Sequence, residues 1–440
     1  MLNYVIIATI KFHEVYILSM YSEKFLSQVI SWRRDIHSHP ELSQNEHRTS
    51  ELAAGILESL GIDVTRNIGG LGVVGILRGG TSPLTPLIDK RGEQQVPPVK
   101  GGFRGVSHEG KRTKTIALRA DMDALPLNEE TGLEYASQVN GVMHACGHDT
   151  HTAMLLGAAC ALSEMRENLN GNVKFIFQPA EELNPTGGAP GMIKDGALEN
   201  PHVDALLALH VWPLYETGKL IMKSGPQMGA SDRLFIRVHG KTAHGSAPEQ
   251  GVDAIMIAAQ VINGLQSIVS RSVSPLDSAV VTIGKITGGY RYNVIPDLVE
   301  LEGTVRTLRA NTQTLMPELI TRIAKGIADS LGGSCEVKYV KGYPPLVNDS
   351  GLVKVASDSV TKLFGEDALI IPEQPELSAE DFAFFARERP ALMAWLGCRP
   401  ANIDAKDFAK LHNTKFAPDE SCFSYGIDFF VQTVMDYLNA

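Results

Sequence analysis

Between Arg233 and Val340 the chain alternates two hydrophobic periods in an order that few folds accept. Arg233–His239 reads as a half-exposed strand and Val252–Val269 as a helix. Ala279–Ile286 and Val299–Arg306 are strands, Thr312–Leu331 is a helix, and Glu336–Val340 is a strand. That β-α-β-β-α-β order is the split βαβ, ferredoxin-like arrangement, a complete small α+β unit. The chain on either side must therefore close a second fold around an insert.

The flanking pattern defines that second fold. Apolar residues recur at helical spacing through Phe25, Val29, Trp32 and Ile36, and the run stops at His39-Pro40. A helix from Glu46 to Leu60 ends at Gly61, and strands follow at Ile62–Arg66, Gly72–Leu77 and Thr115–Arg119. A helix is predicted over Asp149–Met165, with strands at Asn172–Gln178 and Ala205–His210. Beyond the insert come helices near Gly351–Phe364, Ala379–Arg387 and Ser424–Leu438. Strands alternating with helices imply an α/β, mostly parallel sheet with helices on both faces. Such sheets bind ligands at the carboxyl ends of their strands. Gly79–Lys114, rich in Pro, Gly and charge and without periodicity, reads as a surface loop or flexible insertion.

Charge and cysteine usage exclude several roles. With 40 basic and 50 acidic side chains the net charge is −10, which argues against a nucleic-acid partner. The apolar run Tyr4–Ile10 is broken by Lys11, His13 and Glu14, well short of the roughly 20 residues of a membrane span. No membrane association is expected. Residues 1–20 read as a loosely attached extension, with Met20 a candidate start. The odd, scattered set of five cysteines fits a reducing, cytoplasmic setting.

Candidate chemistry concentrates at the predicted strand ends. In His144-Ala145-Cys146-Gly147-His148-Asp149-Thr150-His151, a thiolate and an imidazole flank one glycine and can turn toward one ion. The alternative is a buried free cysteine beside histidines that cap the next helix. Glu181-Glu182 follows the strand ending at Gln178, where one carboxylate can ligate a cation while its neighbour moves protons; taken alone, the pair also fits an exposed acidic loop. His210 closes an apolar strand, and His412 stands in a late polar stretch; single histidines of this kind are also common as surface or core residues. Their convergence on one sheet edge favours a metal site. Asp123 reads as a carboxylate that orients a metal-bound imidazole.

The runs Arg119-Ala-Asp-Met-Asp-Ala-Leu-Pro126, His144-Ala-Cys-Gly-His-Asp149, Gln178-Pro-Ala-Glu-Glu182 and Leu209-His210 resemble the amino-acid amidohydrolases. That group of dinuclear metalloenzymes includes hippurate hydrolases, N-acyl-amino-acid deacylases and auxin-conjugate hydrolases. Gly240-Lys-Thr-Ala-His244, Tyr292-Asn-Val-Ile-Pro-Asp297, Glu380-Asp-Phe-Ala383 and Leu411-His412 extend the match from about Ser22 to Leu438. The resemblance implies a catalytic domain in two parts, 21–224 and 344–440, and a lid and dimerisation domain at 225–343. It implies metal ligands at Cys146, His148, Glu182, His210 and His412, with Cys146 bridging two ions. Glu181 matches the general base, and Asn293 a lid residue that holds substrate. His244 matches a lid histidine that reaches the partner subunit's site in dimeric relatives. The long 79–114 loop, the residues before 21 and the Thr242–Ser246 turn depart from the pattern without removing a ligand.

The expected reaction is hydrolysis of the amide bond of an N-acyl amino acid by a metal-activated water. Glu181 acts as base and then acid, and His244 is a candidate oxyanion donor. The cofactors are two divalent ions, zinc from the soft thiolate and imidazoles or manganese from the carboxylates. Arg291 and Arg306 are candidates for the substrate carboxylate, each also readable as an exposed or lid-core arginine. An aminopeptidase or dipeptidase with the same metal core, and a non-catalytic metal-binding protein, are the competing readings. The expected assembly is a homodimer through the lid. His37, His39 and Glu41 read as structural, His151 as structural or supporting, Ser378–Asp381 as a helix cap, and Cys160, Cys335, Cys398 and Cys422 as core.

Overall fold

The structure, a computed structural model, describes residues 22–80 and 113–440. The expectations for residues 1–20, and for all but the ends of the Gly79–Lys114 insertion, lie outside those residues.

An eight-stranded sheet forms the centre of the larger part. Its order is Asp63–Ile68, Gly72–Arg78, Asn172–Gln178, Thr115–Asp121, Ala205–Glu216, Ala391–Arg399, Leu220–Ile221 and Leu369–Ile370. The four strands from Asn172–Gln178 to Ala391–Arg399 run parallel, and the first two are antiparallel. Successive residues of the central strands feed opposite cores. Leu207, Leu209, Val211, Leu392, Ala394 and Leu396 pack under the Glu23–Ser38, His47–Ser59, His148–Glu164, Ser350–Phe364 and Cys422–Asn439 helices. Leu206, Ala208, Trp212, Met393 and Trp395 pack against Ala189–Lys194 and Phe382–Glu388 on the other face. Burial on both faces explains why these strands are continuous apolar runs.

Of the elements that differ from the sequence reading, two shape the site. Ala391–Arg399, unanticipated, is a central strand; with every residue buried it has no alternation to betray it. The strand expected to end at His210 continues to Glu216, because Leu206 through Trp212 pair with Ala391 through Gly397. His210 therefore sits within a strand that runs on past Thr115–Asp121, level with Trp395.

The second sheet is antiparallel, in the order Ala279–Gly288, Leu298–Thr307, Ser231–His239, Ser334–Tyr343. With strands numbered along the chain this is 2-3-1-4, the ferredoxin-like topology. The Ala254–Ser267 and Ala310–Ser330 helices bury one face through Leu234, Ile236, Val238, Val299, Leu301 and Val305. The opposite face carries Arg233, Phe235, Glu302, Thr304 and Arg306 and walls a cavity of about 640 Å³ at the edge of the large sheet. This small sheet is the inserted lid. Among the described residues no helix is long and apolar enough to cross a membrane.

Candidate metal centre

Register brings the site together. Asp121 pairs with Gln178 at the carboxyl edge, and the loops that follow carry Asp123 and Glu181-Glu182 into one place. Cys146 and His148 enter from the loop before the His148–Glu164 helix. Gly147 between them stands at φ +86°, and a Cβ there would lie 2.5 Å from Val211 Cγ2, so conformation and space both demand glycine. His412 arrives from the far end of the chain at φ +62°, its N–H donating to the Ala145 carbonyl at 2.8 Å.

The ring nitrogens are assigned by their partners. His148 Nδ1 donates to the Asp123 carbonyl at 2.9 Å, with Asp123 Oδ1 at 3.2 Å, which leaves Nε2 as a lone pair facing inward. His210 Nδ1 donates to the Val211 carbonyl at 2.8 Å, which aims Nε2 at Cys146 Sγ, 3.5 Å away. Glu182 Oε1 lies 3.1 Å from His412 Nε2, without hydrogen-bond geometry. Cys146, His148 and His210 form one compact donor set, and Cys146, Glu182 and His412 form another; the thiol belongs to both.

These donors fit a pair of divalent cations. His148 Nε2 is buried with no hydrogen-bond partner. Burial opposes its protonation, yet Asp121, with Asp123 and Glu182, pushes the ring up to about 10. Burial, with Glu182 and Glu181 beside it, drives the Cys146 thiol well above its ordinary value. Both shifts have one cause, a strongly negative field at the atoms a cation would take.

Glu181 is buried, with Oε2 4.0 Å from His148 Nε2 and Oε1 accepting from Asp381 N–H at 3.4 Å. Burial, with Glu380, Glu182 and Asp381 around it, pushes its carboxyl well above the usual range. Asp123 ties the cluster to the backbone: Oδ1 accepts from Glu181 N–H at 3.1 Å and Oδ2 from Glu182 N–H at 2.9 Å and Ser43 Oγ at 2.6 Å.

The sequence reading missed the part played by Arg119 and by the carboxylates it pairs, while His151 takes the supporting role read for it. Arg119, wholly buried, binds Asp121 at 2.7 Å, Glu380 at 2.9 Å and Asp381 at 3.0 Å. Glu380 does cap the next helix, accepting from Phe382 N–H at 2.9 Å, but its other duty is to this ion network. His151 spends both nitrogens: Nδ1 donates to Asp121 Oδ1 at 2.6 Å, and Nε2 accepts from Val211 N–H at 2.9 Å. It has no lone pair left for an ion and instead braces the strand beside His210. The signal available for Arg119 was a charge inside the apolar strand Thr115–Asp121, which has to be matched when buried.

The lid residues divide. Arg306 is half-buried in the cavity wall, and no carboxylate of the described residues lies within 4 Å of its guanidinium. His244 and Asn293 lie elsewhere on the lid: His244 pairs with Val294, is exposed, and its Nδ1 accepts from Ser246 Oγ at 2.7 Å. Neither lines the cavity at the metal donors of its own chain. Arg291 is also exposed, over the Tyr292 ring and away from the cavity.

A two-ion donor set under a ferredoxin-like lid, at the carboxyl edge of an α/β sheet, is the architecture of metal-dependent hydrolases of amide bonds. The comparisons define the relationship more closely. The chain belongs to peptidase family M20/M25/M40, whose profile matches residues 117–436. It is 41% identical over 323 residues to an N-acyl-L-amino acid amidohydrolase of Geobacillus stearothermophilus, covering 73% of this chain and 78% of that protein. It is 37% identical to a hippurate hydrolase of Campylobacter jejuni, covering 92% and 95%. The crystal structure of the Bacillus subtilis YXEP protein, a dinuclear metal-binding peptidase of the M20 family, matches with a TM-score of 0.76 at 31% identity, covering 95% of this chain and all of that one.

Proposed function

We propose that the enzyme hydrolyses the amide bond of N-acyl amino acids, with Glu181 moving the proton. The observation that carries this reading is the position of Glu181: buried beside both donor sets, yet hydrogen-bonded only weakly through Asp381 N–H. A carboxylate so placed is close enough to transfer protons, and we assign it that role rather than a place beside His148 and Glu182 around an ion. Cys146, His148, Glu182, His210 and His412 would hold two divalent ions. When bound, such ions lower the pKa of a water toward about 7 from near 16 and offset charge on the carbonyl oxygen. Glu181 takes the proton from the attacking water and delivers it to the amide nitrogen as the C–N bond breaks.

Arg306 is the proposed receptor for the substrate carboxylate, since it is an unmatched cation in the same cavity. His244, exposed on the lid, and Asn293, half-buried beside it, are proposed to act on a partner's site, which makes a homodimer through residues 225–343 the working assembly. Exposed Tyr292, Tyr290 and Ile255 beside them supply apolar surface for that contact. The softness of a thiolate shared by both donor sets supports zinc, and the carboxylates leave manganese as the second arm of the test.

The test is release of amino acid from N-acetyl and N-benzoyl amino acids, and from free dipeptides, after reconstitution with zinc or with manganese. N-acyl substrates should be cleaved and dipeptides spared. Glu181→Gln should keep both ions and lose roughly 10²–10⁴-fold in kcat. Cleavage of dipeptides alone, or a full rate in the metal-loaded variant, overturns the proposal.

A further inference from the structure

Glu46 is a wholly buried acid that the reaction as drawn does not use. It precedes the His47–Ser59 helix but makes no side-chain cap there. Its Oε1 instead accepts the Ala180 N–H at 2.8 Å. Ala180 has left the Asn172–Gln178 strand at Pro179 and stands at φ +59°, a left-handed conformation that a Cβ disfavours. A buried N–H beyond the end of its ladder has to find a side chain or go unpaired. The rest of the same turn is held as closely. Asp123 accepts both following N–H groups, and the Tyr343 hydroxyl of the last lid strand donates to the Glu181 carbonyl at 2.5 Å. Of these three side chains, Glu46 alone neither touches a proposed metal ligand nor lines the cavity.

We infer that Glu46 is a positioning residue: by holding the Ala180 N–H it keeps the strained turn in place and fixes where the Glu181 carboxylate stands. This rests on Glu181 being the group that moves the proton. Ala180 and Glu181 share a peptide unit, so relaxation of Ala180 to an ordinary backbone conformation re-aims the next Cα–Cβ bond. An acceptor oxygen, rather than a charge, is what the turn requires. Burial, with Asp123 nearby, pushes the Glu46 carboxyl up to about 7.

The experiment measures kcat, KM and bound metal for Glu46→Ala, Glu46→Asp and Glu46→Gln in the full chain, with Glu181→Gln alongside. Misplacing a reacting group by about 1 Å costs roughly 100-fold, so Ala and the shortened Asp should lose about that much kcat with both ions retained and KM nearly constant. Glutamine keeps an oxygen within reach and should recover kcat to within about 5-fold, the scale of one weakened hydrogen bond. If Glu46→Ala does not fold, the contrast between Asp and Gln decides. Wild-type kcat in the Ala or Asp variant, or a loss in Gln equal to theirs, overturns the inference. Glu181→Gln separates the two readings. A full rate there sinks the acid-base assignment itself, whereas a dead Glu181→Gln with unaffected Glu46→Asp sinks only the role of Glu46.

Discussion

Asp123 is the side chain whose loss should be felt at both ions. It touches His148, which belongs to one donor set, and holds the backbone of Glu182, which belongs to the other. In Asp123→Asn the amide nitrogen must replace one oxygen. Placed toward Ser43, whose hydroxyl can turn to accept, it still faces the Glu182 N–H with another donor. That arrangement loses one charge-assisted hydrogen bond and leaves a buried N–H unpaired, about 1.5–3 kcal/mol. Removing a group that orients a ligand typically weakens metal binding 10–100-fold, which is roughly 1.4–2.7 kcal/mol and agrees with that figure. Competition against a chromogenic chelator should therefore show both dissociation constants raised 10–100-fold in Asp123→Asn, and further in Asp123→Ala. Two unchanged constants in Asp123→Ala would refute the reasoning, as would a shift confined to thermal stability.

Two further outcomes test the assembly and the ions. Mixing inactive His244→Ala with inactive Glu181→Gln should restore activity if His244 serves its partner's site; random pairing then gives about a quarter of the wild-type sites intact, whereas no recovery places His244 in its own subunit's chemistry. Chelation should lower Tm, since each ion present at 100 times its Kd contributes about 2.7 kcal/mol. At about 1 °C per kcal/mol for a chain of 440 residues, two ions correspond to about 5 °C, and an unchanged Tm would mean that the donor set binds nothing.

What the sequence made legible follows from where its patterns are local. The inserted unit was readable because its open sheet face enforces period two while its helices enforce 3.6. Cys146, His148 and His210 were readable as polar residues that interrupt or end apolar runs. Ala391–Arg399 was invisible for the opposite reason, since a strand buried on both faces carries no alternation. Glu46 left no signal, because its partner is a backbone N–H in a turn distant along the chain. Glu380 and Asp381 look like a helix start in sequence, and only the fold reveals that Arg119, in another strand, receives their charge. Pairings of this kind depend on sheet register, which single residues do not encode.

The same ion network explains why the site is suited to cations. Asp121, Asp123, Glu181, Glu182, Glu380 and Asp381 crowd the region with the Cys146 thiol, and Arg119 is the buried guanidinium among them. Arg119 satisfies Asp121, Glu380 and Asp381. The excess that remains falls on the thiol, Glu181, Glu182 and the inward nitrogen of His148. Isolated buried charges are too costly to persist and neutralise instead. Two divalent cations held by Cys146, His148, Glu182, His210 and His412 would offset that excess, with Glu181 beside them and outside both Cys146-sharing sets.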